Sequence, residues 1–153
     1  MKTLALFSSL LMAAIPSFGQ TNVSPTHYIH VGTGRGTNAT VLLCTPTRFG
    51  EPIIVTNGVT SCELSGIIQV RGTGLVVNVA WKSPSGYSAG STFASYRGNA
   101  TVGEPVFPGQ VGGIHDSSTA ASWFIVSTNL DNRSALEALK RLENEKQASE
   151  KSQ

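Results

Sequence analysis

The chain has 153 residues and a formal net charge of +2, from 11 basic and 9 acidic side chains. So small a positive excess gives no basic surface for nucleic acid, and we expect no nucleic-acid partner. The length suffices for one domain with its own core. Residues 131–153 alone carry five acids and five bases, which indicates a separate charged tail.

Residues 1–19 have the pattern of an export signal. Lys2 gives a positive start, residues 4–15 form an apolar run, and Ser17 and Gly19 place small side chains at the two positions that a signal peptidase reads. The run is shorter than the roughly 20 residues of a membrane-spanning helix. We expect cleavage before Gln20 and an exported mature chain, in the periplasm, at the outer membrane or outside the cell, with no transmembrane helix.

The segment 20–130 is predicted to be a β domain. Residues 27–31 and 39–44 are short β-branched and apolar runs, joined by the glycine-rich segment 32–36. That segment lacks the Lys-Ser/Thr pair of a phosphate-binding loop, and no helical pattern follows it. We interpret it as a flexible hairpin connection.

Two more hairpins are predicted downstream. Asn57-Gly58 tolerates positive φ at both turn positions, which predicts that residues 59–64 fold back on the preceding strand. The turn at residues 71–74 joins a strand at 67–70 to one at 75–81. In the later strand, alternation predicts four core side chains on one face: Leu75, Val77, Val79 and Trp81.

The last β segments differ in strength. Residues 91–97 form a weak strand, and prolines 105 and 108 predict an edge or bulged strand between them. Residues 122–130 form the strongest strand in the sequence. Its apolar side chains alternate over both faces, which predicts burial on both sides: Trp123 and Ile125 on one face, and Phe124, Val126 and Leu130 on the other.

The tail at 131–153 is the only segment with a helical pattern. Ser134 and Glu137 form a capping box, and Leu136, Leu139 and Leu142 form a narrow apolar stripe. This stripe suits packing on the chain's own domain or on another copy. From Glu143 onward the apolar positions stop, so the tail is expected to be partly disordered.

The two cysteines, Cys44 and Cys62, are an even count in a chain expected to be exported. We therefore predict a disulfide between them, worth about 3 kcal/mol in the chain-entropy model. A redox or metal-binding pair would require the close CxxC spacing, which is absent.

Catalytic and metal-binding patterns are weak throughout. His27 and His30 would lie on opposite faces of a strand, so we interpret them as partly exposed and predict no metal site and no cofactor. His115 and Asp116 have the residue types of a hydrolase, but sequence neighbours rarely form a catalytic triad, and no Gly-x-Ser-x-Gly elbow is present. We interpret them as a polar loop and predict a non-enzymatic protein, with a small hydrolase as the alternative.

Aromatic side chains offer a second alternative, a carbohydrate- or ligand-binding module. Trp81 and Trp123 lie in strongly apolar strands and are expected in the core. Tyr87 and Tyr96, in or beside the polar loop after residue 83, remain available to stack on a sugar ring.

The order of motifs resembles the C-terminal domain of bacterial outer-membrane secretins, the pores of type II and type III secretion. The segments that carry the resemblance are VLLCTPT at 41–47, FGEPIIVTNG at 49–58, GLVVNV at 74–79, TVGEPVFPGQVGGI at 101–114 and WFIVSTNLD at 123–131. The family's upstream periplasmic domains have no counterpart here, so the resemblance implies a reduced secretin-like β module over residues 41–131.

These observations predict a mainly β protein, an antiparallel sheet or sandwich with one disulfide and a short C-terminal α-helix. Its expected function is that of a non-enzymatic cell-envelope module acting through self-association or through binding of an envelope partner.

Overall fold

The computed structural model describes residues 27–84, 91–108 and 121–151. Seven strands are described: β1 (His27–Thr33), β2 (Thr40–Thr47), β3 (Pro52–Asn57), β4 (Cys62–Arg71), β5 (Gly74–Pro84), β6 (Ser91–Ala100) and β7 (Ser122–Ser127). A short 3-10 turn (Gly36–Asn38) lies between β1 and β2, and the chain continues into one helix, α1 (Asn132–Lys151).

The strands form two antiparallel sheets. The first sheet has the order β2-β1-β7, and the second has the order β3-β4-β5-β6. This arrangement confirms the predicted mainly β, antiparallel fold with a C-terminal helix.

The main hydrophobic core lies between the two sheets. Ile29 and Phe124 from the first sheet pack in one buried cluster with side chains of the second sheet. The rings of Trp81 and Phe124 meet edge-on, with centroids 6.0 Å apart. The four residues predicted from the alternation in β5 are all buried in this cluster: Leu75, Val77, Val79 and Trp81.

A second, smaller core lies on the other face of the first sheet. Trp123 and Ile125 of β7 pack there against Ala135 and Leu139 of α1. The molecule is therefore layered as helix, three-stranded sheet and four-stranded sheet. All six residues of β7 are buried, which confirms the burial predicted for both of its faces, although the prediction was wrong for Leu130, which follows the strand and is 57% exposed.

The three predicted hairpins are present, but one turn differs from its prediction. Asn57 precedes a four-residue loop, and its Oδ1 accepts hydrogen bonds from the backbone N–H groups of Val59 (3.0 Å) and Thr60 (3.4 Å). Among the described residues, the non-glycine residue with positive φ is Ser61, in this loop. The asparagine therefore acts through its side chain, as in an Asx turn.

The start of α1 also differs from the predicted capping box. The Asp131 carboxylate accepts a hydrogen bond from Arg133 N (2.9 Å), so the cap is Asp131 and not Ser134. The helix continues past Glu143 to Lys151, with exposed ion pairs between Arg141 and Glu145 and between Lys146 and Glu150. Within the described ranges, no helix has both the length and the apolar content needed to cross a bilayer.

Candidate functional site

The two cysteines are free thiols, so the predicted disulfide is wrong. The hairpin from β3 to β4 brings Cys62 opposite Asn57 of β3, as expected. However, β3 belongs to the second sheet, whereas Cys44 lies on β2 of the first sheet. Cys62 faces the core between the sheets, and Cys44 faces His30 on the opposite side of the first sheet, so the sulfurs point into different layers.

Both thiols lie in environments that disfavour the thiolate. Burial raises the pKa of Cys44 from 9.0 to about 11. Burial, with a smaller effect of the neighbouring Glu63 carboxylate, raises the pKa of Cys62 to about 11 as well. Both thiols are therefore protonated near neutral pH. They are unreactive there, because the thiolate is the reactive form.

We therefore expect both thiols to react slowly with iodoacetamide. At pH 8, a pKa of about 11 in place of 9.0 leaves about 100-fold less thiolate, and the rate should rise with pH up to that value. The control is the same chain in denaturant without reductant, in which two thiols should react at the ordinary rate. A chain that yields no free thiol after unfolding would contradict the reduced state.

A buried polar cluster surrounds His30, which is 0% exposed. Its Nε2 lies 2.9 Å from Asn129 O and 3.1 Å from Ser127 Oγ, and its Nδ1 lies 3.1 Å from Asn132 Oδ1. The Cys44 sulfur lies 3.8 Å from the same Nε2. We call these five residues the His30 cluster. It joins β1, β2 and β7 to the first residue of α1, and the prediction of a partly exposed His30 was wrong.

Cysteine, histidine and asparagine are the residue types of a catalytic site with a cysteine nucleophile, in which the histidine removes the thiol proton. A backbone carbonyl oxygen can only accept, so Nε2 carries a proton and donates it to Asn129 O. The Asn132 side-chain amide can present either its oxygen or its NH2 group to Nδ1, so this contact does not change the assignment at Nε2. Ser127 donates its own hydroxyl to Asn129 O at 2.6 Å and therefore faces Nε2 as an acceptor too. An Nε2 that already carries a proton cannot remove one from Cys44.

The His30 cluster is therefore an anchor for the link between β7 and α1. The raised pKa of the Cys44 thiol agrees with this structural role, because a cysteine activated as a nucleophile has a lowered pKa. Among the described residues, no group of three or more His, Cys, Asp or Glu side chains could hold a metal ion.

Tyr96, a predicted sugar-binding residue, lies on the inner face of β6. Its ring contacts Phe124 at 5.2 Å between centroids, and its hydroxyl donates a hydrogen bond to Asn99 O. Tyr96 is partly buried, and a stacking role for it stays a prediction. Tyr87, His115 and Asp116 lie outside the described residues.

The edges of the two sheets differ in what occupies them. Beyond β7, Val106 and Phe124 are joined by two backbone hydrogen bonds, each residue donating its N–H to the carbonyl of the other. Beyond β2, the carbonyl of Leu42 accepts hydrogen bonds from the side chains of Asn57 and Thr60. In the described ranges, the second edge of β6 pairs with no strand.

The outer face of the second sheet carries few large apolar side chains. Ile54 of β3 is 83% exposed and Phe93 of β6 is 47% exposed. These two lie on the two opposite edge strands of the sheet. Between them, at the level of Ile54, the facing positions hold the small residues Ser65 and Ala80.

Comparisons of this chain with protein-family models, with curated proteins and with solved structures find no match. Two features of the described residues bear on function: a buried cluster that anchors the helix, and the edge of β6, which no described strand pairs with.

Proposed function

We propose that this chain is a non-enzymatic, exported module of the cell envelope that acts through β-sheet association, with other copies of itself or with an envelope partner. The observation that carries the proposal is the outer edge of β6, which no strand of the described ranges pairs with. A strand edge presents a row of unpaired backbone N–H and C=O groups, which is a template for pairing with another strand.

The composition of β6 leaves this edge unprotected. The strand is 10 residues long, STFASYRGNA, with no proline and a single charged side chain, Arg97. Proteins that avoid edge pairing usually place prolines, several charges or bulges there, or keep the edge strand short. By contrast, β3 is 6 residues long and begins with Pro52, and β2 contains Pro46.

The chemistry of the His30 cluster supports the non-enzymatic part of the proposal. The candidate base, His30, directs its Nε2 proton to a carbonyl, and the candidate nucleophile, Cys44, is held as a thiol. A reduced secretin-like domain is the form of this function that the sequence resemblance suggests. In that form, copies would join through their sheets at the envelope after export directed by residues 1–19.

Phe93→Glu is expected to weaken self-association at least about 10-fold, because it places a carboxylate beside the pairing edge, where it must be desolvated. The new side chain faces Lys82 on β5, so the fold should tolerate it. The measurement is sedimentation velocity of residues 20–153 over a range of concentrations.

The matched control is Ile54→Glu, which adds the same charge to the same face on the opposite edge strand. It should leave association unchanged if β6 is the pairing edge. Equal loss in both variants would indicate stacking through the outer face, and no loss in Phe93→Glu would exclude β6 as the association edge.

A further inference from the structure

The edge strand β6 is regular along its whole length. All ten of its residues pair with β5, from Ser91 opposite Pro84 to Ala100 opposite Leu75, with no shift of register. A β-bulge would twist such an edge away from a second strand, and β6 contains none. The strand therefore presents one unbroken edge to anything that pairs with it.

The other sheet edges among the described residues offer less. β3 has six residues and begins with Pro52, which has no N–H to donate. The outer edge of β7 is bonded to Val106, and the edge of β2 accepts side-chain hydrogen bonds at Leu42 O. Within the described ranges, each copy of the chain thus has one long edge on which a strand can add.

This asymmetry between the edges determines how copies can associate. Two copies with one such edge each can both fill it only if β6 of one copy pairs with β6 of the other. Such a contact is isologous, because the same surface serves both copies across a two-fold axis, and it leaves no free edge for a third copy. A ring or a fibre needs two different edges per copy, as in head-to-tail addition of β6 to β3.

The charge on β6 favours an antiparallel direction for this contact. Arg97 is the one charged residue of the strand. In a parallel, in-register pair it would lie beside Arg97 of the second copy, and like charges directly opposite each other are destabilising. An antiparallel pair with the longest overlap is centred near Ser95 and Tyr96, so the two arginines lie on either side of the axis. Antiparallel pairing is also slightly more stable per residue.

The same arrangement keeps the two faces of the sheet continuous between copies. Ala94 and Tyr96 face the core, so Phe93, Ser95 and Arg97 lie on the outer face. Opposite residues of an antiparallel pair share a face, so the outer face of one copy continues into the outer face of the other. Phe93, which is 47% exposed, then gains a neighbouring strand.

We propose that two copies of this chain pair through β6 in an antiparallel contact with two-fold symmetry, and that association stops at the dimer. The two four-stranded sheets then form one continuous sheet of order β3-β4-β5-β6-β6-β5-β4-β3. The inference rests on the proposed function, since it names the partner at the same edge and defines the symmetry of the contact.

The test places single cysteines in residues 20–153 and treats the protein with a short bis-maleimide at neutral pH, where both native thiols are protonated. Ser95→Cys, near the axis, should convert most of the chain into a covalent dimer. Ser65→Cys, exposed on the same face and in the same row two strands inward, should give no more dimer than the wild type. Circular dichroism of each variant checks that the fold is retained.

Mixed samples, with a size tag on one variant, test the direction of the contact. An antiparallel pair brings the two ends of β6 together, so Asn99→Cys should cross-link to Ser91→Cys and not to itself. Cross-linking of Asn99→Cys to itself would indicate a parallel pair and would overturn the inference. So would cross-linking of Ser95→Cys to Ile54→Cys, which lies in the same row on β3 and would report head-to-tail addition.

Light scattering on the same samples separates this inference from the proposed function. A particle of twice the monomer mass that cross-links through Ser95→Cys supports both. A larger oligomer, or a dimer without that cross-link, overturns the two-fold contact although the chain still associates. A monomer at every concentration overturns the dimer and self-association together.

Discussion

His30→Ala is expected to lower the free energy of unfolding by about 3 kcal/mol. The substitution removes a fully buried ring and leaves Asn129 O, Ser127 and Asn132 without their shared partner. Because these groups belong to the link that leads into α1, the damage should spread to the docking of the helix. Urea unfolding measures the total loss, and hydrogen exchange of the amides at 128–135 should accelerate most.

The control is His27→Ala on the same strand. His27 is only half-buried, and its ring contacts the tilted Phe49 ring with centroids 4.4 Å apart, so its loss should cost less than about 1 kcal/mol. Equal destabilisation by the two substitutions would contradict the anchoring role of His30.

Gly32→Ala is expected to destabilise the fold by about 3 kcal/mol through overpacking. A Cβ at this position would lie 2.2 Å from Trp123 Cζ2 and 2.3 Å from the Thr40 carbonyl oxygen. Trp123 is 0% exposed and packs beneath α1, so the indole has no free space into which to move. The melting temperature should fall, and the tryptophan fluorescence should report a looser environment.

Gly58→Ala is the matched substitution without a clash. No atom lies within 4 Å of a Cβ built there, and the residue does not have positive φ. Its effect should stay within about 0.5 kcal/mol. A Gly32→Ala protein as stable as Gly58→Ala would show that the contact between β1 and Trp123 is not tightly packed.

Alternation along single strands predicted much of the fold. The inward face of β5 followed directly from Leu75 to Trp81, and the all-apolar β7 followed from its run of large side chains. Both patterns depend on neighbouring positions in one strand, where the period of two fixes which face each side chain occupies.

Sheet membership could not be predicted in the same way. The pairing of β3 with β4 was expected, but nothing local indicates that β2 belongs to the other sheet, and the disulfide prediction failed for that reason. The prediction that His30 is partly exposed failed for a similar reason. Its face was assigned correctly as opposite to His27, but the link and helix that cover this face come from residues about 100 positions later.

The helix boundary shows how two local signals can compete. Asp131 and Ser134 are both good cap residues, and the capping box made Ser134 the stronger choice from the sequence. The chain instead begins the helix at Asn132, where the Asn132 amide also meets Nδ1 of His30. A contact made in three dimensions thus favours the earlier start.

The most direct test of association through β6 is the mass of residues 20–153 in solution, by light scattering after size exclusion, with and without detergent. We expect a discrete oligomer that Phe93→Glu dissociates and Ile54→Glu does not. A wild-type chain that remains a monomer at every concentration, in both conditions, would contradict self-association through this edge.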